Sequence, residues 1–202
     1  MTTDAGAIQA RYHALLERLV AACGRVGREP EDVTLIAVSK GHPVSAIQAL
    51  IAAGCRDFGE NRVQEWREKA PCLPRDVRWH VIGHLQRNKV KYLVDEVTLI
   101  HTLDGEGVLI ELEKRAGAPH DVLVQVNLGE EPQKAGVSPE EVATLVKRCA
   151  VSELVRPVGL MCIPPYQPEP EASRGYYRQL AELHMHVRAE LTAMDPFLAE
   201  AF

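Results

Sequence analysis

Thr34–Ile47 reads TLIAVSKGHPVSAI. The apolar run Leu35–Val38 predicts a buried strand over Leu35–Ser39, and Gly41-His42-Pro43 predicts a turn. A helix is then expected over Val44–Ala53, with Val44, Ile47, Leu50 and Ile51 on one side, Pro43 at its start and Gly54 just past its end. The strand therefore ends in Ser39 and an ammonium group, Lys40. A lysine desolvated at the carboxyl end of a parallel strand has a lowered pKa and a nucleophilic amine. On position alone, a surface lysine that happens to end a strand is the simpler account.

The same alternation continues outward from this stretch. DFGEN (57–61), WHVIG (79–83), LIHTLD (99–104), DVLVQVN (121–127) and VRPVGLMCI (155–163) read as strands. Helices are expected over RVQEWREKA (62–70), through QRNKVKYLVDE, near 105–116, after SPEE (138–141), and near 172–193. SPEE has the capping-box pattern, with Ser138 as N-cap, Pro139 at N1 and Glu141 at N3. One amphipathic helix leads the chain, with Ile8, Leu15, Leu16, Leu19, Val20 and Cys23 on its expected inner face.

Six strand–helix units with near-continuous apolar strands predict an α/β fold with a covered parallel sheet. An open doubly wound sheet and a (β/α)8 TIM-type barrel both fit. No GxGxxG follows any strand, so nothing supports a dinucleotide-binding sheet. Polar residues gather at the carboxyl ends of the strands (Ser39-Lys40, Glu60-Asn61, Asp104, Asn127), where a barrel collects its site. A TIM-type barrel with a leading helix is therefore expected, as one domain over residues 1–202. Complete barrels run to about 250 residues, so strands seven and eight are expected to be missing.

Composition narrows the classes further. The chain has 202 residues, 46% hydrophobic and 25% charged, with net charge −5, which suits a globular domain rather than a nucleic-acid binder. The densest basic patch, QRNKVK at 86–91, is short. No apolar stretch approaches the roughly 20 residues of a membrane span, and the N-terminus lacks the apolar core of a signal peptide. Five cysteines (23, 55, 72, 149, 162) without a CxxC pair suit reduced thiols and a cytoplasmic location.

Taken together, AVSKGHP, RDFGENRVQE (56–65), WHVIGHLQRNK (79–89), HTLD (101–104), VLVQVNLGEEPQKAG (122–136) and RPVGLMCIPP (156–165) resemble the pyridoxal-phosphate (PLP) homeostasis protein family. These proteins are similar to the barrel domain of alanine racemase. The resemblance runs from about residue 8 to about residue 190. It implies that Lys40 holds PLP as a Schiff base and that Asn61 lines the cofactor pocket. It also implies that His80 and Met161 face that pocket. The family is thought to carry and buffer PLP for apoenzymes, without established turnover, as cytoplasmic monomers.

The family normally continues into a Ser-Met-Gly-Met-Ser segment and a Val-Arg-Ile-Gly segment that bind the phosphate. Here the chain ends LTAMDPFLAEAF. The expectation is a C-terminally short member whose PLP binding is impaired, or whose exposed sheet edges drive self-association. The rival readings are a PLP-dependent racemase-like enzyme, which needs a second acid–base group, and a member that has lost its cofactor.

Other groups carry weaker signals. His80 and His84 are four apart, but VIG between them is not helical, so no metal pair is expected. His184 and His186 are expected to be solvated. The GHLQRNK turn (83–89) reads equally as an anion site or as a polar helix start. Lys134 reads as a loop lysine or a secondary aldehyde-reactive amine, and Cys162 as packing.

Overall fold

The computed structural model describes residues 4–129 and 135–202. Six parallel strands form one sheet in sequence order: β1 Ala37–Val38, β2 Asp57–Glu60, β3 Arg78–Val81, β4 Leu99–Leu103, β5 His120–Gln125 and β6 Val155–Met161. Helices intervene: α1 Ala5–Gly24, α2 Val44–Ala52, α3 Val63–Lys69, α4 Glu106–Arg115, α5 Pro139–Ala150 and α6 Arg174–Met194. This is the α/β order read from the sequence, with six of a TIM-type barrel's eight strands. Among the described residues no helix is long and apolar enough to cross a membrane.

The chain divides into two compact units, residues 1–80 and 81–202. In the first, β1 pairs with β2 in register Ala37↔Phe58 and Val38↔Gly59. Phe58 is fully buried with its ring centroid 6.0 Å from that of Trp79, and Ile47 of α2 and Trp66 of α3 are buried as well. α1 starts at Asp4, whose carboxylate accepts from the Ala7 N–H at 3.0 Å. Its inner face differs from the expected one: only Cys23 is buried, and Leu15 and Val20 are about half exposed. Gln9 lies on the α2 side instead, donating to the Ala49 carbonyl at 3.1 Å. β1 is also shorter than the predicted Leu35–Ser39, because only Ala37 and Val38 hold ladder positions.

In the second unit, β4, β5 and β6 pair in parallel. Ile100, Leu103, Val122 and Val124 are fully buried, as are Leu109 and Leu112 of α4 and Val142 and Val146 of α5. The β5–β6 register advances from Val122↔Pro157 to Leu123↔Gly159, so Val158 is an extra residue. Proline has no N–H to continue the ladder, and Gly159 (φ 151°) takes a backbone angle that other residues avoid, so the bulge falls between them. The capping box at Ser138–Glu141 forms as read. The helix expected through QRNKVKYLVDE does not. A 3-10 segment, Arg87–Tyr92, is followed by turns, and Asp95 at φ 65° interrupts any continuing helix. His184 is half-buried rather than fully solvated: its Nε2 lies 2.6 Å from the Phe202 carbonyl oxygen and its ring stacks on Phe202.

His120 on β5 is buried, and its Nε2 has no hydrogen-bond partner among the described residues. Burial pushes its pKa down, against the opposing pull of Asp121 and Asp95. Burial likewise pushes down His80, against Asp57. A histidine whose folded pKa lies below its unfolded value near 6.5 takes up a proton first when unfolded, so stability falls as pH drops below that value. The urea midpoint is therefore expected to be lower at pH 5.5 than at pH 7.5, and the difference to shrink in His120→Phe.

Candidate functional site at the carboxyl ends of β1 and β2

Beyond β1 the chain turns at once. The His42 N–H donates to the Ser39 carbonyl at 3.0 Å, and Gly41 sits at φ 73°. A positive φ at the third position of such a turn is what glycine supplies freely. Lys40 occupies the corner and is exposed. The expectation of a poorly hydrated amine at this position fails. The two-residue strand ends before Lys40 could be drawn inward, and its ammonium has no hydrogen-bond or ion-pair partner among the described residues.

The buried ammonium is Lys69, at the last position of α3, and the sequence reading did not single it out. Its Nζ donates to the Ser39 carbonyl at 2.7 Å, to Glu60 Oε1 at 2.7 Å and to Glu65 Oε1 at 2.6 Å. All three ammonium donors are thus used. Ser39 Oγ donates to Glu60 Oε1 at 2.8 Å, and the Gly41 N–H donates to Glu65 Oε1 at 2.5 Å. The turn is therefore held on both sides of Lys40, through Ser39 before it and Gly41 after it. Burial lowers the Lys69 pKa, but its hydrogen bonds to Glu60 and Glu65 outweigh this and hold it above the ordinary lysine value. Lys69 stays a cation, and the unpaired amine of the two is Lys40.

Side-chain alternation separates two faces of β2. Phe58 and Glu60 share the face bearing this cluster, while Asp57, Gly59 and, one position past the strand, Asn61 share the other. Asp57 Oδ1 accepts from Arg78 Nε at 2.7 Å and pairs with His80 Nε2 at 3.1 Å. Burial alone would raise the Asp57 pKa, yet bonds from Arg78 and His80 hold it below the usual carboxylate value. His80 thus lies on the Asn61 face, buried, with its Nε2 engaged by Asp57. Asn61 Oδ1 is buried and has no hydrogen-bond partner among the described residues. The β1–β2 register ends at Val38↔Gly59, and Lys40 and Asn61 each follow it by two residues in sequence.

A family model described as the alanine racemase N-terminal domain matches residues 13–197. The pyridoxal phosphate homeostasis protein of Aquifex aeolicus is 41% identical over 193 residues, covering 94% of this chain and 85% of that protein. The chain belongs to the pyridoxal phosphate homeostasis protein family. The Escherichia coli protein of the same name is 38% identical, with 82% of this chain and 74% of that protein covered. Among solved structures, PipY of Synechococcus elongatus with PLP bound superposes with TM-score 0.73 at 31% identity, over 87% of this chain and 82% of that one.

Of the four residues that the family resemblance picks out, Lys40, Asn61 and His80 belong to the unit of residues 1–80, and His80 is held at the opposite end of β2 from Asn61, by Asp57. Met161 belongs to the other unit, half-buried at the end of β6, where its carbonyl accepts from the Val126 N–H at 2.8 Å. Beside it the Cys162 thiol is pushed up by burial, as a packing residue would be. His84 pairs with Asp104 at 2.8 Å, and among the described residues no cluster of metal-ligating side chains occurs. Lys134 lies outside the described residues.

Removing one partner of a buried ion pair leaves the other charge uncompensated, at a cost of about 3–5 kcal/mol. Lys69→Met is expected to destabilise the fold by that order, read from the urea midpoint. Glu65 is more exposed, and its replacement in Glu65→Gln keeps an acceptor for the Gly41 N–H, so this variant should cost much less.

Proposed function

We propose that this chain binds PLP covalently through Lys40 and acts as a carrier and buffer of the cofactor, with no catalytic turnover of its own. PLP supplies an aldehyde, which condenses reversibly with a primary amine. The observation that carries the reading is the pinned turn: an unpaired, accessible amine at Lys40 on a backbone fixed by Lys69, Glu65 and Glu60. Because burial does not activate Lys40, its advantage over other lysines is placement. Asn61 fits a ligand at these strand ends, since its buried Oδ1 is an acceptor awaiting a donor. His80, its pKa lowered, contributes a neutral imidazole on the same face at neutral pH.

The chain acts as one PLP-binding domain over 1–202, with Met161 as the contribution of β6. Its free thiols (three of five buried) fit a reducing cytoplasm, and PLP-dependent apoenzymes are the proposed recipients.

Incubation with PLP followed by borohydride and peptide mapping is expected to place the reduced adduct on Lys40 in wild type and to lose it in Lys40→Ala. Lys69 should stay unmodified. A principal adduct at Lys134 or Lys69 would overturn the assignment. Racemisation of free alanine by the purified protein would overturn the non-catalytic part.

A further inference from the structure

Between Asp76 and Asp95 the sequence carries no acidic residue, but Arg78, Arg87, Lys89 and Lys91. This local excess runs against the net charge of −5. The structure gives it a shape. A cleft of about 600 Å³ lies between the 3-10 segment and α4, lined by Gln86, Arg87, Asn88, Lys91, Glu111 and Arg115. Its one acid, Glu111, is spoken for by an i,i+4 pair with Arg115. That pair, with Arg87 adding to it, holds the Glu111 carboxyl below its ordinary range. What remains is a cleft with net positive charge and two carboxamides.

Arg87 is the distinctive member. Its guanidinium has no hydrogen bond or ion pair among the described residues. Its stem nonetheless has a seat: a Cβ added at Gly107 of α4 would lie 2.9 Å from Arg87 Cδ, so the arginine crosses the helix at the one place with no side chain. On the near side, Gln86 and Arg87 also line a second cavity of about 350 Å³ with His84 and Asp104. There His84 Nδ1 lies 2.8 Å from Asp104 Oδ2. A guanidinium on a seated stem, flanking amides and a second cation in Lys91 match the donors that a dianionic oxyanion requires.

We propose that this cleft binds the phosphate group of a small phosphate monoester, with Arg87 as its principal cation. The site is made wholly from residues 81–202 and is independent of the Lys40 reading. The basic run is short, four cationic residues between Asp76 and Asp95, which favours a single phosphate group over a polynucleotide.

The full-length protein is titrated calorimetrically at low ionic strength with inorganic phosphate, adenosine 5′-monophosphate and a short single-stranded RNA. Arg87→Gln is expected to weaken phosphate and monophosphate binding tenfold or more. Gly107→Ala keeps every charge but displaces the arginine stem, and should weaken binding at least threefold. Arg178→Gln, which removes an exposed charge on α6, should change it less than twofold. Equal losses in Arg87→Gln and Arg178→Gln would show diffuse attraction and overturn the proposal. So would wild-type protein that binds no phosphate, or RNA binding that phosphate does not displace.

Discussion

One ammonium group organises the first unit. Lys69 is withdrawn from water at the end of α3, and that is tolerable only because three oxygens meet its three N–H groups. Each acceptor comes from a different part of the chain: the exit of β1, the end of β2 and the first turn of α3. Burying the charge therefore fixes these segments relative to one another with a directionality that apolar contact lacks. Glu60 still carries a buried oxygen, Oε2, with no hydrogen-bond partner among the described residues. The cluster thus gives geometric definition at some expense in stability.

The consequence for the site is a division of labour between two lysines. Lys69 holds its proton because two carboxylates favour the charged form over the neutral one. Lys40 has no such partner and stands at the corner of a turn whose flanking residues are both tied down. The two faces of β2 repeat the division. Glu60 works on the supporting side, while Asn61 and His80 sit on the other. A short strand end can present chemistry only if something behind it is rigid, and here the rigidity is ionic.

The family motif and the hydrogen bonds single out Lys40 for different reasons. The motif AVSKGHP marks Lys40 by likeness to relatives, and the hydrogen bonds mark it by exclusion, as the free amine beside a locked one. The strand-end position of Lys40 had suggested that desolvation would activate the amine. The structure assigns that desolvated position to Lys69 instead.

The sequence by itself determined the order and number of the strands, the α/β class, the capping box at Ser138 and the placement of Lys40 and Asn61 at strand ends. These follow from local signals: apolar runs, Gly and Pro punctuation, and residues within a few positions of each other. Only the tertiary structure decided which lysine is buried, because Glu65 and Lys69 at i,i+4 look like any surface pair until Ser39 and Glu60 close over them. It likewise decided the turn of α1, the loss of the helix after Gln86 and the docking of His184 on Phe202. In each case the deciding partner lies far along the chain, where no periodicity can reach it.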